Sequence, residues 1–558
     1  MRSFILCLST LLLAFTLSLS AQTPTVGVLS QTDEALEGYT FFSPFSSTMA
    51  YMVDNCGNLV NVWDRGTFPG LSAYFLENGL MFRTFKVDPV GPYTSASNAG
   101  GLELVDWDNN TVWQWILNNE TQLSHHDAVM MPNGNILTLT WELTFREELE
   151  ALGRDPNEIA PQDFMWSERI LELEPVGQDS ANIVWEWHIN DHFIQDFDST
   201  KVGFGVVADH PELYDLNHPS LTSGNSNETR DWFHFNAIDY NPTLDQILIS
   251  IRNSDEVWII DHSTTTEEAA GHTGGTYGMG GDLLYRWGNP SSYKAADIAE
   301  QRLFGQHGTN WIPEGLDDAG SILIFNNGNG KPGADCTRIQ VLTPPQSAPG
   351  FYIRDSSVPF GPIDANTIYG DADGETFYSA FLSNAFRLPN GNTLINSGSP
   401  GRIFEITPNR EIAWDYEIPI NRDTPLTQGT TPRNNANFRA YKYSSDYAGF
   451  DGIDLFPGLP IELNPLDCAL MTSSTADSEE PTEVVILSFL PQSNTLHLET
   501  PGNTVKAILV TDMQGRLLEQ PTYSYPSVAL KQQYQLGSYL VTVIFENGNR
   551  VSKKLLLH

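Results

Sequence analysis

One kind of segment recurs along this chain, and that recurrence narrows the available folds more than any other feature. His126 opens HDAVMMPNGNILTL, His234 opens HFNAIDYNPTLDQILIS and His307 opens HGTNWIPEGLDDAGSILIF. A fourth copy, SNAFRLPNGNTLINS, starts at Ser383 and carries Asn384 near the same place. Each has a polar head, a few alternating residues, a Pro/Asn/Gly turn and an apolar strand. Such a unit cannot bury its apolar face alone, so copies must pack on one another. If they are set around an axis, equivalent heads converge, and three imidazoles meeting at one point form a reactive site.

A second theme alternates with the first. It reads MAYMVDNCGNLVNVW, GLELVDWDNNTVWQW, RILELEPVGQDSANIVWEW, EVWIIDHS through GDLLYRWG, and RIFEITPNREIAWDYEI, with TRIQVLTPP as a divergent copy. Each is a hairpin whose second strand ends in Trp or Tyr. Together the two themes make a four-stranded blade: inner strand, second strand, outer hairpin. Copies begin near Ala73, His126, His234, His307 and Asn384. The hairpin at Met49 lacks an inner strand, and Asn437 to Gly452 can supply one, closing the ring and removing open sheet edges. The expected fold class is all-β, a β-propeller of six blades, give or take one, followed by a small C-terminal β-sandwich. REELEALGRD and YKAADIAEQRLF are expected to be short helical insertions.

The expected domains are a signal peptide (1–21), the propeller (22–468), a linker (469–483) and the sandwich (484–558). Arg2, an apolar run from Phe4 to Leu19 and small residues near Ala21 form the export signal. No later stretch is long and apolar enough for a membrane span. With 69 acidic and 29 basic residues the net charge is −40, which repels nucleic acid. Once Cys7 leaves with the signal, Cys56, Cys336 and Cys468 remain. This set allows at most one disulfide and argues against a cysteine metal site.

His307, flanked by Gly305 and Gly308 in FGQHGTNW, is the expected nucleophile. His234 and Asn236 lie two apart and would project together from a strand. Alignment on the Pro-Asn-Gly turn favours His126 as the axial residue, whereas the spacing of the His234 copy favours His125. Arg252, on the second strand of the His234 copy, is expected to hold an anion; the alternative is a salt bridge with Asp255 or Glu256. His188, His192, His210, His218, His262 and His272 are read as solvated or structural, and no metal site is assigned. GNGKPG places Pro where a phosphate loop needs a hydroxyl, HTGGTYGMGGD lacks the strand-to-helix context of a dinucleotide site, and no Gly-x-Ser-x-Gly elbow occurs. No cofactor is expected.

The segments HHDAVMMPNGNILTL, DWFHFNAIDYNPTLDQILISIRN, LLYRWGNP, FGQHGTNW and SNAFRLPNGNTLINSGSPGRIFEI together resemble the bacterial arylsulfate sulfotransferases. The resemblance implies a six-bladed exported propeller that moves a sulfuryl group from an aryl sulfate donor to a phenolic acceptor through a sulfated histidine, without a nucleotide. It implies His307 as nucleophile, and His234, Arg252 and one of His125 and His126 as its partners. Asn236 would neighbour them and contact substrate; Asn384, from its place at the fourth repeated head, is expected to bind substrate as well. Better-known members carry a cysteine pair near the site; the cysteines here form no close pair in sequence, so that disulfide is expected to be absent. The tail segments FLPQSNTLHLE, AILVTDMQGRLL and GSYLVTVIFENGNRVSKKLLLH are similar to the sorting domain of type IX secretion substrates. That implies the type IX machinery as a partner and a destination at the cell surface or outside the cell. Two other readings compete: a non-catalytic propeller that binds an anionic ligand, which predicts binding without turnover, and a cofactor-dependent propeller oxidoreductase, which needs a carboxylate-rich cofactor site.

Overall fold

The computed structural model describes residues 23–468 apart from 219–229, 334, 356–357 and 373, and from 486 onward the strands of the C-terminal part. The signal-like segment and the linker expected at 1–21 and 469–483 lie outside the described residues.

The structure is all-β with few and short helices, in a propeller-like arrangement of antiparallel sheets. Among the described residues, six sheets of four or five strands follow one another. Their first strands are Pro69–Phe75, Gln122–Met130, Phe235–Asn241, His307–Trp311, Asn384–Arg387 and Asn437–Ser444. Each packs against the next, and Asn437–Ser444 packs against Pro69–Phe75, so the series closes on itself. The closing sheet joins Asn437–Ser444 to Gly38–Pro44, Met49–Asp54 and Leu59–Asp64, as the orphan hairpin at Met49 requires. One strand has no counterpart in the repeats: Gly27–Gln31 pairs with Ile412–Glu417 as a fifth member of the Asn384 sheet.

Two rings of side-chain hydrogen bonds explain the repeated residues. On the outside, a buried Trp closes the hairpin in five of the six sheets and donates Nε1–H to a backbone carbonyl of the following unit. The pairs are Trp63 to Asp106, Trp113 to Ser180, Trp187 to Gly281, Trp287 to Pro362 and Trp414 to Asn55. A buried indole N–H needs such a partner. On the inside, Asp127 accepts from the Ile238 amide, while Asn236, Asn310 and Asn384 donate to the carbonyls of Gln306, Ala385 and Ala440. Apolar clusters fill the spaces between sheets, the largest around Trp187, Phe235, Ile249 and Trp258.

Three expectations are corrected. REELEALGRD does form a helix (Arg146–Ala151), but YKAADIAEQRLF forms only a short 3-10 turn, Ile298–Glu300. Arg252 is not on the second strand; that strand ends at Ile251 and Arg252 opens a 3-10 turn, Arg252–Ser254. His234 precedes its strand with φ of 59°, so the two-residue alternation does not link it to Asn236.

The single permitted disulfide exists and joins Cys56 to Cys468, leaving Cys336 free. It fixes the chain end of the sheet assembly to the turn after Met49–Asp54. In the C-terminal part, a three-stranded and a four-stranded sheet share one apolar cluster that includes Leu496, Val528, Ile508 and Val541.

Candidate active site

The inner strands are irregular at their heads. In the His126 strand the register with its neighbour shifts between Thr138 and Thr140, and His126 takes φ of 47°. Comparable shifts occur between Phe235 and Ala237 and between His307 and Asn310. A bulge inserts a residue and re-aims its side chain. This device brings His125 and His126 into one network, which strict alternation forbids.

The network is a line of five side chains. Nδ1 of His234 lies 2.5 Å from Asp231, and Nε2 of His234 lies 3.1 Å from Nε2 of His126. Nδ1 of His126 lies 2.8 Å from Nδ1 of His125, whose Nε2 lies 2.9 Å from Glu168. His126 therefore faces His234, and His125 stands behind it, stacked on Trp141 with centroids 4.0 Å apart.

Burial determines the protonation. It depresses His125 to about 3 and, with the nearby His234 ring, pushes His126 well below the usual imidazole range. Burial and then the charge of Asp231 raise the Glu168 carboxyl well above its ordinary value. One arrangement of protons satisfies every contact with all three rings neutral. Glu168 is protonated and donates to His125 Nε2; His125 donates from Nδ1 to His126 Nδ1; His126 donates from Nε2 to His234 Nε2; His234 donates from Nδ1 to the Asp231 carboxylate.

His307 heads the next inner strand and is 3% exposed. Its Nδ1 lies 2.9 Å from both the Gly305 carbonyl and the Asn327 side-chain oxygen. Two acceptors fix the proton on Nδ1, so the lone pair sits on Nε2. Burial first, then the charge of Arg252, lower the ring to about 3, so it is neutral at physiological pH. Gly308 has φ of 57°, and a Cβ there would stand 2.6 Å from the backbone of Asn384. The glycine after His307 thus lets the next sheet approach.

Arg252 is half-buried, and its charge acts on both His307 and His126. Among the described residues it forms no salt bridge: Glu256 is taken by Arg286, and the Arg252 hydrogen bond is to Asn253 at 3.1 Å. The Asp255 charge acts on the guanidinium without an ion pair, its oxygens accepting from Gly305 and Gln301, so the Arg252 fork keeps donors of the kind that suit a tetrahedral anion.

A family profile described as Arylsulfotransferase (ASST) matches residues 43–441. The chain belongs to the arylsulfotransferase family. No curated protein matches it. Among solved structures it resembles a protein of unknown function from Bacteroides caccae at 12% identity, over 68% of this chain and 93% of that one, with a TM-score of 0.36. It also resembles the periplasmic gluconolactonase PpgL of Pseudomonas aeruginosa at 9% identity, over 73% of this chain and 99% of that one, with a TM-score of 0.34. Nothing about the chemistry of this arylsulfotransferase follows from resemblances so remote.

The remaining sequence-derived residues divide. Asn236 donates to the Gln306 carbonyl and its buried Oδ1 has no hydrogen-bond partner. Both ends of the Asn384 amide bond the backbone of Ala440, so Asn384 stitches two inner strands together and is not free to receive a substrate. His188 pairs with Glu142 and His210 with Glu212. His218, expected in a solvated or structural role, is buried and lowered to about 4. An apolar groove of about 660 Å³ lined by Trp287, Tyr293 and Phe360 shares no residue with the histidine cluster.

Three members of the site were not found from sequence: Asp231, Glu168 and Asn327. Asp231 stands three residues before His234 and so left a trace, whereas Glu168 is one of three glutamates in its strand and nothing singles it out. Asn327, in a loop rich in Asn and Gly, left none.

Proposed function

We propose that this arylsulfotransferase moves a sulfuryl group from an aryl sulfate to a phenol through a covalent adduct on His307. The observation that carries the reading is the His307 ring: neutral, tied at Nδ1, with its Nε2 lone pair free and the Arg252 charge beside it. Nε2 attacks sulfur, the bond from sulfur to the donor's phenolic oxygen breaks, and the phenolate leaves. Arg252 meets the charge on the sulfuryl oxygens; one such electrostatic donor is typically worth about 3 kcal/mol of barrier. Asn327 and the Gly305 carbonyl hold the Nδ1 proton and stabilise the positive charge that sulfation places on the ring. The acceptor phenol's oxygen then attacks sulfur to release His307, and its proton passes to Nε2 of His234, which gives up the hydrogen bond from His126 as it is protonated; Asp231 stabilises the imidazolium that forms. Two half-reactions through one adduct predict ping-pong kinetics.

In this reading the six sheets are six blades, and the C-terminal pair of sheets is a sandwich that serves as a type IX sorting domain. Export to the cell surface or beyond is supported by the signal-like N-terminus, and by the Cys56–Cys468 disulfide, since such bonds persist in oxidising compartments. The test is mass spectrometry of protein quenched during turnover with an aryl sulfate. A sulfuryl adduct on His307, and loss of transfer in His307→Ala, are expected. Full activity in that variant, or an adduct on another residue, would overturn the assignment.

A further inference from the structure

The loop HTGGTYGMGGD, which suits no nucleotide, has a different use. We propose that its two ends, His272 and Asp282, form a site for a divalent transition metal of the zinc class, together with His192. Nδ1 of His192 and Nδ1 of His272 lie 2.9 and 2.8 Å from the same Asp282 oxygen. One donor atom from each residue falls within 4.8 Å of the others.

His192 is the decisive residue. It is 1% exposed, and Trp187 stacks on it with planes 4° apart. Its Nε2 lies 2.9 Å from the Ala269 carbonyl, an acceptor only, so that nitrogen carries a proton. Its Nδ1 faces a carboxylate, a second acceptor. A neutral imidazole has one N–H and cannot serve both. A cation must stand between Nδ1 and Asp282: a second proton or a metal. The second imidazole, His272, converges on the same oxygen, which favours the metal. Metal-bound histidines characteristically donate their other N–H to a backbone carbonyl, as His192 does here.

Two imidazoles and a carboxylate suit Zn²⁺ better than Ca²⁺ or Mg²⁺. Tetrahedral Zn²⁺ would set the donors about 3.3 Å apart, given bonds near 2.0–2.1 Å, so each imidazole would draw back from the Asp282 oxygen by only a few tenths of an ångström. His272 is 59% exposed, which leaves the fourth position to water. The loop is built for this closure. Gly281 bonds back to Gly271 at 3.0 Å, and a Cβ on Gly281 would stand 2.7 Å from the His192 ring. The metal would clip the segment after the outer strand Ser180–His188 to the edge of the following sheet, where Trp187 already donates to Gly281.

The experiment uses the full chain, stripped by a chelator and titrated with Zn²⁺ and then Co²⁺. One equivalent bound, a Co²⁺ absorption band typical of four-coordination, and a raised melting temperature are expected. His272→Ala, at an exposed position that folding tolerates, should weaken binding at least tenfold and abolish the thermal shift. Asp282→Asn should do the same, with its fold checked by circular dichroism. Failure to bind would mean that the three groups form an ion pair only, and equal binding in His272→Ala would place the metal elsewhere; either result overturns the proposal.

Discussion

The side-chain oxygen of Asn327 lies 2.9 Å from Nδ1 of His307 and selects which nitrogen of that ring can attack. Its Nδ2 is also engaged, donating to the carbonyls of Ser379 and Leu382. Replacing Asn327 by Ala removes one of two Nδ1 acceptors and leaves those carbonyls unpaired. A buried hydrogen bond is worth about 1 kcal/mol and an orphaned group about 1–3. The expected outcome is a fall of roughly tenfold or more in kcat with a lower melting temperature, measured by steady-state transfer and calorimetry.

Arg252→Ala should raise KM for the aryl sulfate and lower kcat by roughly a hundredfold, since an electrostatic donor acts more strongly on the transition state. Arg252→Lys should recover little, because a point charge lacks the planar fork. Parallel titration with a sulfate-bearing inhibitor separates the binding loss from the chemical one.

Asp231→Asn keeps the shape at His234 but removes the negative charge that holds its Nδ1 proton, 2.5 Å away. The ring loses its tautomer preference and its imidazolium loses its counter-charge. A fall in kcat of roughly 10²–10⁴ is expected, by the logic of carboxylate–histidine pairs. Because the acceptor phenol depends on this step, acceptors of lower phenolic pKa should suffer less, a dependence that a merely structural change would not produce.

His262 bridges Asp245 at 2.6 Å and Glu172 at 3.1 Å. Burial alone would lower its pKa, but the hydrogen bonds to Asp245 and then Glu172 outweigh burial and raise it from 6.5 to about 9. A raised folded pKa means that the stabilisation is fully present below pH 6.5 and is lost as the pH climbs through about 9. The melting temperature should therefore fall over that interval, and His262→Gln should flatten the fall. An equal slope in the variant would remove His262 as its source.

Cys56→Ser opens a disulfide whose cysteines are 412 residues apart. Long closed loops constrain the unfolded chain most, so a loss on the order of 2–5 kcal/mol is expected. Denaturant unfolding should report it, and reduced wild type should match the variant.

Much of this site was legible before folding. His307 and His234 follow from repeated heads, Arg252 from a charge beside a strand that carries few, and the ring closure at Asn437 from an incomplete blade. Where reading failed, the cause was a local break in periodicity or a partner from elsewhere in the chain. Arg252 falls past its strand, and His234 sits at positive φ, so strand alternation misplaced both. Asn384 occupies a repeated head, yet its amide is used by the backbone of Ala440.

The repeating pattern of strand, turn and aromatic determines by itself the sheets, their order and the return of the last inner strand, because these follow from periodicity and from the need to bury each apolar face. The choice between His125 and His126 was decided only in three dimensions, by a bulge that turns His126 toward His234 and leaves His125 against Glu168. The protonation of the site was decided there too. Burial and partners drawn from separate strands and loops set which nitrogen holds each proton, and no window of sequence contains them together.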